Sequence, residues 1–294
     1  MRPFYGGATV ICAAFPAPTH RTLRAHFMPS PKSTAFPSAV QAVLLFVALF
    51  LCELVVGAAL RDANGWLGLN GMQLGVLSTV LGNGCVFAVV MHYQQLTYRQ
   101  LFHPSPISVR TTLTTVVPPA LLLVPALMMT VIAALNLLVL VAPLSPWEES
   151  LFSRMADGSV AATLAVCVVA PLLEEMLFRG IVLRGFLQRY ARWHAIVGSA
   201  VLFGAAHLNI YQFLVGLVLG LVLGWLYERT RSLIPCIALH ATYNTGTLFV
   251  GDWPTDASRA DTVWTVLLVV VAAVVGTLAL RRMLVAPKAR KRGP

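Results

Sequence analysis

The stretch Pro171-Leu172-Leu173-Glu174-Glu175-Met176-Leu177-Phe178-Arg179 decides how this chain is read. It lies inside an apolar block over 160–188 and puts three ionisable side chains within six residues. An ionisable group at the centre of a membrane helix costs roughly 2.5–3.5 kcal/mol on insertion scales. Three of them together call for partners inside the protein and point to a task. On a helix, Glu174 and Glu175 lie about 100° apart and cannot point the same way. Glu175 and Arg179 stand at i and i+4, the spacing of an intrahelical ion pair. That pairing removes much of the cost of both charges and leaves Glu174 without a local partner. The sequence therefore predicts one structural carboxylate and one available for chemistry.

The rest of the chain supports a membrane setting. Of its 294 residues 58% are hydrophobic and only 11% charged, against about 25% charged in a soluble domain; its mean hydropathy is +0.78. The apolar residues fall into continuous blocks of roughly 18–25, each long enough to cross a ~30 Å hydrocarbon core as a helix. A transmembrane β-barrel needs short alternating segments instead. The expected fold class is all-α, a polytopic membrane protein of about eight transmembrane helices, with limits near 38–60, 72–94, 112–142, 160–188, 194–209, 211–227, 232–250 and 262–281. The third is long enough to be tilted or broken near Pro125, and the fourth is long enough to project from the membrane. Four parts follow: a flexible cytoplasmic tail over 1–36, accessory helices one to three over 37–157, a catalytic core of helices four to seven over 158–250, and a last helix with a basic tail over 251–294.

The net charge of +10 does not argue for nucleic acid, because the charge collects in tails and short loops. With both termini in the cytoplasm, 18 of the 21 basic residues fall on the cytoplasmic side, leaving Arg61, Arg154 and Arg259 outside. Asp62, Glu148, Glu149, Asp157, Asp252, Asp256 and Asp261 lie on the outer side. This satisfies the positive-inside rule. The five cysteines, Cys12, Cys52, Cys85, Cys167 and Cys236, form no CxxC pair and read as small core hydrophobes. Gly216, Gly220 and Gly224 give the sixth helix a smooth face for close packing.

Further polar residues sit at comparable depth. His207 ends the run Leu202-Phe203-Gly204-Ala205-Ala206-His207 on the fifth expected span, and His240 and Asn244 share one face of the seventh at i and i+4. Counted at 1.5 Å per residue from the nearest basic boundary, Glu174, His207, His240 and Asn244 all reach the middle of the bilayer. Glu53 in the first span pairs across helices or is protonated, and Asn83 reads as a packing group. A carboxylate and an imidazole can share a water and take its proton as it attacks a carbonyl. His240 and Asn244 can donate to the oxyanion that forms. No GxSxG occurs and no cysteine neighbours the set, so a water-activating hydrolase is the chemistry these residue types fit.

The three motifs, Glu-Glu-x-x-x-Arg at 174–179, Phe-x-x-x-His at 203–207 and His-x-x-x-Asn at 240–244, occur in order on successive core spans. In this the chain resembles the CAAX protease and bacteriocin-processing (CPBP, or ABI) family of intramembrane proteases, which includes the type II CAAX prenyl endopeptidases. The resemblance covers roughly 160–250. It implies an intramembrane endopeptidase in which Glu174 and His207 activate the water, Glu175 holds Arg179, Phe203 supports the site, and His240 and Asn244 form the oxyanion site. The mechanism read from these residues is metal-free, with no cofactor expected. The alternative is a zinc enzyme with Glu174, His207 and His240 as ligands and water in the fourth place. Two rivals of other classes are a non-enzymatic scaffold or bacteriocin-immunity protein and a proton-coupled transporter. The expected partners are the lipid bilayer and a membrane-associated protein or peptide substrate, with no nucleic acid. The expected location is a bacterial inner membrane.

Overall fold

The computed structural model describes residues 35–155, 159–250 and 259–284. Among them there is no β-strand, and the chain is an all-α integral membrane protein. Six helices are long and apolar enough to cross a bilayer: α1 (Ala39–Asp62), α2 (Gly71–Tyr93), α3 (Val109–Val141), α5 (Val160–Arg189), α7 (Ile210–Thr230) and α9 (Arg259–Leu284). Between them lie α4 (Pro146–Met155), α6 (Arg192–Ala205) and α8 (Ile234–Val250). The eight expected spans thus all have a helix, but two fall short. With 14 and 17 residues, α6 and α8 extend about 21 and 26 Å at 1.5 Å per residue, less than the ~30 Å core.

Caps mark where several helices start. Ser38 and Gln41 form a capping box on α1, and Asn70 and Gln73 do so on α2, satisfying backbone N–H groups that no earlier turn can reach. Between them Asn64 closes the connection, donating to Leu69 O and accepting from Leu69 N. Exposed Trp66, Trp147 and Trp264 ring the end of the bundle where α1 meets α2, while Tyr93, Tyr98 and Trp193 are exposed at the other. Such aromatic belts sit where lipid meets water.

As expected, α3 is broken near Pro125: the regular helix stops at Leu121 and restarts at Val124. The two helices of the core hairpin, α6 and α7, pack most closely. A Cβ on Gly216 would lie 2.8 Å from Gly204 Cα, and one on Gly220 would lie 2.9 Å from Ala200 Cα. The glycine face of α7 therefore lets two backbones touch. The core is centred on the middle of α5, where eight consecutive residues, Met176–Leu183, are all buried. Most of the expected tail, residues 1–34, lies outside the described residues. Its last residues are packed: Arg189 donates to Ala35 O and the Phe36 ring meets Tyr93.

Candidate active site

Helix α5 is wound unevenly through the site. Ala165–Val169 and Met176–Leu183 are π-helical turns, a geometry that recurs at functional sites. The first has a visible cause. Pro171 lacks an N–H, and its ring crowds the preceding turn. In the wide register Ala170 N–H bonds Ala165 O, so the acceptor opposite Pro171 is Val166 O. That carbonyl is satisfied from another helix, by Asn244 Nδ2 at 2.9 Å.

The two adjacent glutamates part ways, as their angular separation requires. Glu175 is fully buried and Arg179 is 1% exposed; Arg179 Nη1 donates to Glu175 Oε1 at 2.7 Å. The guanidinium lies 4.5 Å from the centre of the Phe203 ring, a cation–π contact that explains an aromatic residue there. Glu174 is 29% exposed and faces a cavity. His240 on α8, 3% exposed, bridges the two carboxylates: its Nδ1 is 2.9 Å from Glu175 Oε1 and its Nε2 is 3.6 Å from Glu174 Oε2. Helical spacing alone offers Glu175 one partner, Arg179. It has two, and the second orients a candidate catalytic imidazole.

His207 is placed differently from expectation. The apolar pattern puts it within the fifth span, but α6 ends at Ala205, and His207 sits in the turn that follows. The helix cannot continue because Leu208 adopts a left-handed φ of 55°, and Asn209 caps α7 by accepting from Tyr211 N and Gln212 N. His207 Nδ1 is 3.0 Å from Phe203 O. A carbonyl only accepts, so Nδ1 carries a proton, and in the neutral ring Nε2 then presents a lone pair.

Glu174, His207, His240 and Asn244 all line one cavity of about 470 Å³, with Phe203 on its wall. Most of the remaining wall is apolar, from Met128, Ile132 and Leu135 on α3 to Val215 and Leu219 on α7. Helix α4 contributes Phe152, which packs edge-to-face on Tyr211. Glu148 anchors α4: it accepts from Ser145 N and Oγ, and from Asn209 Nδ2, two residues beyond His207. The Ser145 backbone amide, with help from its hydroxyl, holds the Glu148 carboxyl below the usual carboxylate range.

Of the two expectations for Glu53, pairing across helices is the one found, and its partner is Asn83. Asn83 Nδ2 donates to Glu53 Oε1 at 2.7 Å, and both line a further cavity of about 320 Å³ whose wall also includes Glu174 and His207. Glu53 was legible as an acid inside a span. Nothing in a linear pattern told that it faces the same space as Glu174.

All seven residues of the three motifs lie within one matched segment. Residues 156–246 match the family model described as type II CAAX prenyl endopeptidase Rce1-like. The family resemblance carried by the motifs is found here over the same part of the chain. An Escherichia coli protein named "Uncharacterized 24.3 kDa protein" is 36% identical over 115 residues, covering 36% of this chain and 52% of the relative. The Bacillus subtilis (strain 168) protein "Putative membrane peptidase YdiL" is 31% identical over 78 residues, 26% of this chain and 32% of the relative. The chain thus spans about half or less of the curated relatives it matches. No solved structure matches it.

Proposed function

We propose that the chain is an intramembrane endopeptidase that hydrolyses a peptide bond with a water activated by Glu174 and His207. The observation that carries this reading is the meeting of four side chains from three separate segments on one cavity inside an otherwise apolar bundle. The acceptors are the Glu174 carboxylate and His207 Nε2; the donors are His240 Nε2–H and the amide of Asn244. A donor at Nε2 requires a proton on both His240 nitrogens, because Nδ1 faces the Glu175 carboxylate; with two carboxylates and one guanidinium, that form would make a neutral quartet, which a low-dielectric interior favours over a net charge.

In this reading the water oxygen adds to the substrate carbonyl as its proton passes to Glu174, with His207 holding the water by its lone pair. General base assistance of this kind contributes about 10²–10⁴ in rate. The oxyanion that forms is met by His240 Nε2–H and by the Asn244 N–H not used on Val166 O. One such donor is worth about 10²–10³. The C–N bond then breaks as the proton on Glu174 passes to the leaving nitrogen. Glu175 and Arg179 act through His240: the carboxylate fixes the ring, and the guanidinium keeps the carboxylate charged.

Among the described residues no three His, Cys, Asp or Glu side chains are placed to hold a metal ion, so this reading routes no step through one. A zinc enzyme would need Glu174, His207 and His240 to converge further. Metal analysis of active, purified protein separates the two: stoichiometric zinc whose removal stops cleavage overturns the proposal.

The substrate class that fits is a membrane-associated protein or peptide with an apolar segment at the scissile bond, because the cavity walls are apolar. The positive-inside distribution supports cytoplasmic termini, and the two bacterial relatives support a bacterial inner membrane. The deciding experiment compares protein termini in membranes from cells expressing wild type and Glu174→Gln. New termini present only with wild type support the protease. If Glu174→Gln and His207→Ala variants fold and keep the full biological effect, the chain is a scaffold or immunity protein instead. Flux driven by a pH gradient in proteoliposomes, with no peptide product, marks a transporter.

A further inference from the structure

A hydrolase buried in a bilayer consumes one water per bond cut, and the space beside Glu53 offers a way in. The 320 Å³ cavity shares Ala170, Glu174 and His207 with the main cavity. On its other side it shares Phe50, Glu53 and Thr79 with a groove of about 460 Å³ between α1 and α2. That groove runs on past Ser78 to Arg61 and Gly71, at the end of the bundle where the two helices are joined. The three spaces thus share walls from the Arg61 end of α1 to the two acceptors of the site.

Three features favour water over lipid as the occupant. Glu53 is a partly buried carboxyl with Asn83 Nδ2 as its side-chain donor. A carboxylate has about four lone-pair sites, and an acyl chain can satisfy none of those left over. Polar groups then recur along the route: Arg61, Ser78, Thr79 and Glu53 in the groove, Asn83 beyond them. A water needs two to four such partners and only roughly 10–15 Å³. Finally, Gly71 and Gly75 line the groove, and a Cβ on either would meet nothing within 4 Å. The groove is open where a larger residue would have filled it.

We propose that the α1–α2 groove and the Glu53 cavity form a hydrated conduit from the Arg61 end of the bundle to Glu174 and His207, with Glu53 as its internal water ligand. Its role as a supply of attacking water rests on the hydrolase reading above; its hydration does not.

The test is thiol labelling in the full-length protein, with its five native cysteines replaced and Thr79→Cys introduced. A charged, membrane-impermeant methanethiosulfonate is applied to either face of membrane vesicles, with Asn64→Cys marking the Arg61 end. The expected result is labelling of Thr79→Cys from the face that labels Asn64→Cys and not from the other. Adding Gly75→Leu should abolish that labelling. A Cβ at Gly75 meets nothing within 4 Å, so the plug starts in open space. Adding Glu53→Leu should also reduce it, while Asn83 keeps its bond to Thr79 O. Gly84→Leu, on an exposed and open face of the same helix, should leave it unchanged. Absent labelling of Thr79→Cys, or labelling that Gly75→Leu does not slow, overturns the conduit. Glu174→Gln should label like its parent. Labelling as expected with no peptide cleaved by any variant would sink the hydrolase and leave the conduit standing.

Discussion

Removing the Arg179 guanidinium tests the architecture behind the site. Arg179→Met keeps much of the side-chain length but leaves Glu175 fully buried, with His240 as its remaining partner. Breaking a buried ion pair from one side costs about 3–5 kcal/mol, because the other charge is stranded. The cation–π contact with Phe203 adds up to about 2 kcal/mol when desolvated. The expected loss in unfolding free energy is therefore at least about 3 kcal/mol, a factor of more than about 10² in the folded ratio at 1.4 kcal/mol per tenfold. Glu175→Gln combined with Arg179→Met removes both charges while the amide oxygen can still accept from His240 Nδ1. It should recover most of that loss, since an apolar or neutral replacement of a buried pair is often close to neutral. The assay is denaturant titration of purified protein in mixed micelles, following tryptophan emission. An Arg179→Met midpoint equal to wild type, or a double variant no better than the single one, refutes the view that Glu175 is charged and held by Arg179.

Other consequences are as direct. Glu174→Gln should lower hydrolysis by at least about 10² with little change in stability, because Glu174 is 29% exposed and stands 3.6 Å from His240, which keeps its closer partner Glu175; turnover and unfolding measured on one preparation check both. Gly220→Ala should destabilise by about 1–3 kcal/mol, since its Cβ would press on Ala200 at 2.9 Å, whereas Gly84→Ala should be nearly silent in the same unfolding assay. The Glu148 carboxyl is lowered by folding, so the tie between α4 and Asn209 is at full strength above the ordinary value of 4.5 and is lost as pH falls through the lower folded value. Trp147 emission, in a variant with the other tryptophans replaced, should hold steady from neutral to that pH and shift below it; Glu148→Gln should show the shifted spectrum throughout.

Much of this protein is legible in one dimension. Long apolar blocks with most charges gathered at their ends force helices that cross a bilayer, because a helix satisfies its own backbone in lipid. The i, i+4 spacing of Glu175 and Arg179 required their pairing, and the 100° offset required Glu174 to look elsewhere. The glycines at 216, 220 and 224 announced a close helix contact, though not that Gly204 and Ala200 would be the neighbours. What the linear pattern lacked was long-range register. The place of His207 was decided by a left-handed turn at Leu208 and the cap at Asn209. The hold of Glu175 on His240 bridges 65 residues and exists only once α8 packs on α5. Asn244 reaches Val166 O because a proline and a wide turn on another helix leave that carbonyl without its own donor. The cavity beside Glu53 likewise depends on how α1 and α2 lean against α5. Local spacing fixes what each helix must do with its own charges, whereas only packing decides which charges from different helices share a space.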